Sequence, residues 1–227
     1  MVTLEVIELA RQTIAIVLAY IIIATTAGAF QAWIAAKMGD DTAYHMGFTS
    51  FHPFVHVDPI SLIIVPIGYA IFGVVIGLGR PVPIVWHRLS GWWRWLKFTV
   101  VALAQPIAIM ATLLFLLMLR LGVLVALLHY VSLAWLPVLG KVILHIINAV
   151  ALFAAWFIPY EVLMSLTQIF IYEQERHGKT VNAAFLLLLI PFLGAVLLID
   201  VSSSVVFYSL DKMEIGLIAV LKSLVGA

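Results

Sequence analysis

An all-α membrane bundle is the fold that the sequence predicts, and three observations carry that expectation. Apolar residues make up 65% of the 227 and charged ones 10%, and mean hydropathy is +1.19, a balance foreign to water-soluble globules. Uncharged runs close to the roughly 20 residues that a helix needs to cross a bilayer core recur along the chain. These runs are apolar on every face, whereas a transmembrane β-barrel strand alternates its two faces over about 10 residues. Five to six transmembrane helices follow, at 12–36, 59–79, 98–119, 121–140, 142–160 and 180–199, within a single transmembrane domain over 1–227.

Before the first run, Val2, Leu4, Val6, Ile7 and Leu9 stand among Glu5, Glu8 and Arg11, as in a short amphipathic lead-in. The run itself is too long for a removable signal peptide and lacks the early basic region of one. Between 37 and 58, the breakers Gly39, Gly47 and Pro53 alternate with polar residues, so no span is expected there. Phe, Val and Met are nevertheless frequent, which predicts a short membrane-associated extended or hairpin segment near 44–58. In the second run Pro66, Gly68, Gly73 and Gly77 permit bends or close helix contact.

The connection 79–97 carries Arg80, Arg88, Arg94 and Lys97 and no acid, which marks it as cytoplasmic by the positive-inside rule. Trp86, Trp92, Trp93 and Trp95 suit the headgroup level, so Arg80, Arg88, Trp92, Trp93, Arg94, Trp95 and Lys97 are expected to form a membrane-interface anchor. Arg120 is expected to snorkel from the end of the third run. The run 121–140 reads either as a span or as a shallower helix. From 142 to 172 a helical pattern is interrupted by Pro159 and Glu161 and leaves the membrane through Glu173, Glu175 and Arg176. A last span near 180–207, with Pro191 and Asp200, and an interfacial helix near 213–226 complete the chain.

Function classes narrow as well. There is no cysteine, so disulfides and thiolate metal sites are excluded, and a net charge of +1 argues against a nucleic-acid partner. Four segments in order, AAKMGDDTA at 35–43, HPFVHVDPI at 52–60, GLGRPVPI at 77–84 and VALAQPIAI at 101–109, resemble segments of the site-2 protease family of intramembrane zinc metalloproteases. The resemblance extends over a core of about 12–172. It implies a zinc-binding His-Glu-x-x-His pentad on the first span, where two imidazoles one turn apart hold the metal and the glutamate activates its water. Registered on Lys37-Met38-Gly39-Asp40, the pentad falls on Ala27, Gly28, Ala29, Phe30 and Gln31. The third ligand, an aspartate, falls on Val162, or on Glu161 if the register slips by one. Neither imidazoles nor an acid occupy the pentad positions.

The expectation is therefore a catalytically inactive relative: no enzyme, no metal and no cofactor, but a subunit, adaptor or scaffold that binds a partner's transmembrane helix. Its surroundings would be membrane lipids, in a bacterial inner membrane. An active metalloprotease with displaced ligands among His45, His52, His56 and Glu161 is the alternative, and a small transporter or lipid-handling protein the third reading. The histidines read equally as interfacial groups hydrogen-bonding locally. Glu161 and Asp200 read either as intramembrane functional acids or as groups at water-facing helix ends.

Overall fold

In the computed structural model, residues 4–72, 79–129 and 136–176 are described. Seven α-helices cover most of them: α1 (Leu4–Met38), α2 (Thr42–His45), α3 (Pro53–His56), α4 (Pro59–Phe72), α5 (Arg94–Ala102), α6 (Ala104–His129) and α7 (Leu136–Arg176). Among the described residues three stretches are long and apolar enough to cross a bilayer, Val6–Met38, Ala104–Val123 and Val142–Gln174. The chain is thus an all-α integral membrane protein with a lipid-facing exterior.

At the centre lies α1, which packs against α4, α6 and α7. Its 35 residues extend about 52 Å at the usual 1.5 Å rise, well beyond a hydrocarbon core of about 30 Å. Ala15, Ala19, Ile23 and Ala27 recur every four residues and, with Ile16, Tyr20 and Ala24, form one buried stripe. Small side chains there let α6 approach through Ala108 and Ile109, and α7 through Val150, Phe153, Ala154 and Phe157. Polar groups pair across the same seams. Thr112 donates to Thr26 at 3.2 Å, and Arg120 to Asn148 at 2.6 Å. Arg120 is buried against α7 and does not snorkel, because Asn148 offers a carbonyl at its own depth.

Where α1 ends, the backbone N–H groups of Gly39 and Asp40 bond the carbonyls of Ala36 and Ala35, with Gly39 at φ +113°. This is the double closure that a left-handed glycine makes possible. The segment near 44–58 folds back along α1 as two one-turn helices joined by turns, and its last residue but one, Val57, makes an antiparallel bridge to Gly79. Asp58 then caps α4 by accepting the Ser61 N–H at 2.8 Å, while Pro59 takes the first helical position. Two bonds lay α4 along α1: the Asp58 N–H to the Tyr20 hydroxyl at 3.0 Å, and the Tyr69 hydroxyl to Gln12 at 3.1 Å.

Span boundaries differ from the sequence reading in the middle of the chain. The run 98–119 is divided at Leu103 between α5 and α6, because Pro106 has no N–H for the Ala102 carbonyl. Within the run 121–140, residues 121–129 complete α6 and 136–140 open α7. Conversely, α7 passes through Pro159 and Glu161 without ending. Residues 180–227, with the last expected span, the interfacial helix and Asp200, lie outside the described residues.

The carbonyl released by Pro106 is closed from another helix, the Ser165 hydroxyl donating to Ala102 O at 2.6 Å. Ser165→Ala is expected to lower stability by about 1 kcal/mol, the usual worth of such an interhelical bond. Leu166→Ala, on the exposed face beside it, should change stability by less than about 0.5 kcal/mol. Equilibrium unfolding of the two variants in detergent checks the difference.

Candidate functional site

One face of α1 and one face of α7 enclose a cavity of about 330 Å³. Ala24, Ala27, Gly28 and Gln31 line it from α1, and Phe157, Tyr160, Glu161, Met164, Ser165 and Gln168 from α7. Both sets follow the three- and four-residue spacing of a single helix face. Gln105 of α6 and the extended segment from Gly79 to Trp86 form the remaining walls.

The α5–α6 junction borders this site through Ala102 and Gln105. In the last turn of α5 the Val101 carbonyl accepts from Gln31 Nε2 at 3.2 Å, and the next carbonyl, of Ala102, accepts from Ser165. Side chains from α1 and α7 therefore converge on one point of the α5–α6 junction, and the cavity opens beside it. Among the lining residues Glu161 carries the one carboxyl group. No cation or hydrogen-bond donor among the described residues reaches that carboxylate. Val162 is not among the lining residues, so it is the slipped-register position, Glu161, that shares the cavity with Ala27, Gly28 and Gln31.

The three candidate histidines are placed apart. His45 is exposed and pairs with Asp41 at 3.1 Å; that hydrogen bond, with Arg88 nearby, holds the Asp41 carboxyl below its ordinary range. His52 is exposed beside the Phe54 ring. His56 is 1% exposed, its Nε2 hydrogen-bonded to the Ser50 carbonyl at 2.8 Å and its Nδ1 without a partner. Among the described residues no three His, Asp or Glu side chains converge as metal ligands.

His56 instead explains Gly28. A Cβ on Gly28 would stand 2.4 Å from His56 Nδ1, so the close approach of the 44–58 segment to α1 requires the missing side chain. Sequence reading treated Gly28 only as a departure from a metal motif. Nothing local to AGAFQ signals this contact, because the ring comes from 28 residues farther along.

Asp40, too, has a role that the sequence reading did not assign. It is fully buried and accepts from Thr42 N–H at 3.1 Å, Thr42 Oγ1 at 2.5 Å and Val85 N–H at 2.5 Å. The last bond fastens the cavity's extended wall to the end of α1. Asp-x-Thr is itself a turn signal that can be read from sequence, but Val85 as a partner cannot.

The basic and aromatic group of 79–97 is largely exposed. Trp92 is 95% exposed and Trp93 is exposed beside it, as headgroup-level rings would be. Arg80, Arg88, Arg94 and Trp95 are exposed as well and also touch protein, Arg80 over the Phe48 ring at 5.9 Å, Arg88 against Asp41 at 2.7 Å, Arg94 over Tyr172 at 5.3 Å and Trp95 edge-on to Tyr172, while the half-buried Lys97 donates to the Ser90 carbonyl at 3.1 Å.

Two expectations follow from His56. Gly28→Ala should destabilise the protein by about 1–3 kcal/mol through overpacking, and adding His56→Ala should restore part of that loss. Unfolding of the single and double variants gives the coupling. Burial holds the His56 imidazole below its ordinary value, and the Ser50 carbonyl offsets this only in part. The unfolded chain therefore takes up the proton first, and stability falls as pH drops from about 6.5 toward the lowered folded value. Melting temperatures at pH 7.5 and 5.0 should show this fall for the natural protein and a smaller one for His56→Gln.

Comparison with family models, curated proteins and solved structures finds no match to this chain.

Proposed function

We propose that this chain is a non-hydrolytic membrane protein of site-2-protease-like design that holds a partner's transmembrane helix as a subunit or adaptor of a membrane complex. The carrying observation is that Ala27, Gly28 and Gln31, the positions on which the resemblance places a metal pentad, line one cavity together with Glu161, beside its third-ligand position. Those four residues contribute one amide and one carboxylate and no imidazole. A hydrolytic zinc centre takes three nitrogen, oxygen or sulfur ligands from the protein and keeps a position for water, and this set does not fit that metal.

What supports binding without cutting is the composition of the walls. Apolar groups such as Phe157 and Met164 accept a hydrophobic helix, and Gln31 is occupied in holding the Val101 carbonyl. For location we propose the bacterial inner membrane, with the basic segment 79–97 on the cytoplasmic side, on the strength of its four Lys and Arg residues and absence of acids.

Elemental analysis of the detergent-purified protein is expected to find zinc far below one ion per chain. A photo-crosslinking residue at Met164 should capture a discrete membrane-protein partner in native membranes, and one at the lipid-exposed Phe115 should not. Stoichiometric zinc, or cleavage of a membrane substrate by the pure protein, overturns the proposal.

A further inference from the structure

The same cavity has a chemistry that helix docking does not use. Within hydrocarbon an ionisable side chain costs several kcal/mol unless something compensates it, so an unpaired acid facing an internal space is a functional feature by default. Glu161 is such an acid, carried by the span Val142–Gln174 and facing a space of about 330 Å³.

Hydrogen-bonding capacity decides what could fill that space. Gln31 has committed an N–H to Val101 O, which leaves its amide oxygen as an acceptor. Ser165 has committed its one proton to the carbonyls of Ala102 and Glu161, which leaves lone pairs. Gln105, Gln168, Tyr160 and Trp86 can donate as well as these groups accept, so the feature that asks for a particular complement is the carboxylate of Glu161, and its complement is a cation. Arg80 also borders the cavity, but its guanidinium lies over the Phe48 ring.

Volume separates the kinds of cation. Oxygen ligands hold a calcium ion at about 2.3–2.6 Å, so a bare ion would leave most of this space unfilled. The volume falls within the range of small-molecule pockets, and the rings of Phe157, Tyr160 and Trp86 add faces that attract an organic cation.

We propose that this cavity binds a small organic ammonium ion, a primary amine on an apolar body, with its charge on the Glu161 carboxylate and its body against the aromatic walls. The amine would use walls, Phe157 and Met164, that the helix-docking reading also uses, but binding to the isolated chain needs no partner helix, so the failure of one reading is distinguishable from failure of the other.

Calorimetric titration of the full chain in lipid nanodiscs tests it, with phenethylammonium as probe and its neutral isostere 2-phenylethanol as control. The ammonium is expected to bind saturably and more tightly than the alcohol. Glu161→Gln should weaken it at least about tenfold, the size of one lost charge-assisted hydrogen bond, and leave the alcohol unchanged. Met164→Trp, which fills the space and keeps the acid, should abolish binding, and it decides the matter if Glu161→Gln does not fold. Absence of saturable ammonium binding, equal affinity for the alcohol, or retention of affinity in either folded variant overturns the proposal. So does stoichiometric calcium binding that Glu161→Gln abolishes.

Discussion

Pro106 cannot donate a backbone hydrogen bond, and in a bilayer no water stands ready to take its place. The carbonyl it releases has to find a donor within the protein, and that requirement organises the centre of the bundle. Ser165 of α7 supplies the donor for Ala102, and Gln31 of α1 supplies one for the neighbouring Val101 carbonyl. A covalent property of one residue thereby ties three parts of the chain at a single depth. A cavity lies beside that point, with Gln31, Ala102 and Ser165 all among its lining residues.

Around that junction, close packing depends on side chains that are small or missing. The alanine stripe of α1 brings α6 and α7 near enough for Thr26 to meet Thr112. At Gly28 the principle reaches its limit, because the His56 ring occupies the space where a Cβ would be. Holding that ring is in turn the work of Ser50, and the wall opposite is held by Asp40 through Val85. Behind the lining residues stand buried polar groups, His56 and Asp40, each hydrogen-bonded to backbone. The lining itself carries one acid, Glu161, and one base, Arg80.

Helical class and membrane location follow from composition and run length, because hydrocarbon admits only backbones that satisfy themselves. So do the stop at Gly39 and the cap at Asp58, which are made by residues within a few positions of each other. Boundaries inside long apolar runs do not follow. Pro106 marks the break at Leu103 in the letters, but the like signal at Pro159 does not end α7, and it is packing against α1 and α6 that carries that helix on. The same distinction holds for the site. That 27–31 offers no imidazole is readable from the letters alone. Which of Glu161 and Val162 faces it is a rotation of about 100° on α7, and Gly28 meeting His56, or Asp40 meeting Val85, are encounters between distant segments whose geometry exists only once the helices have packed.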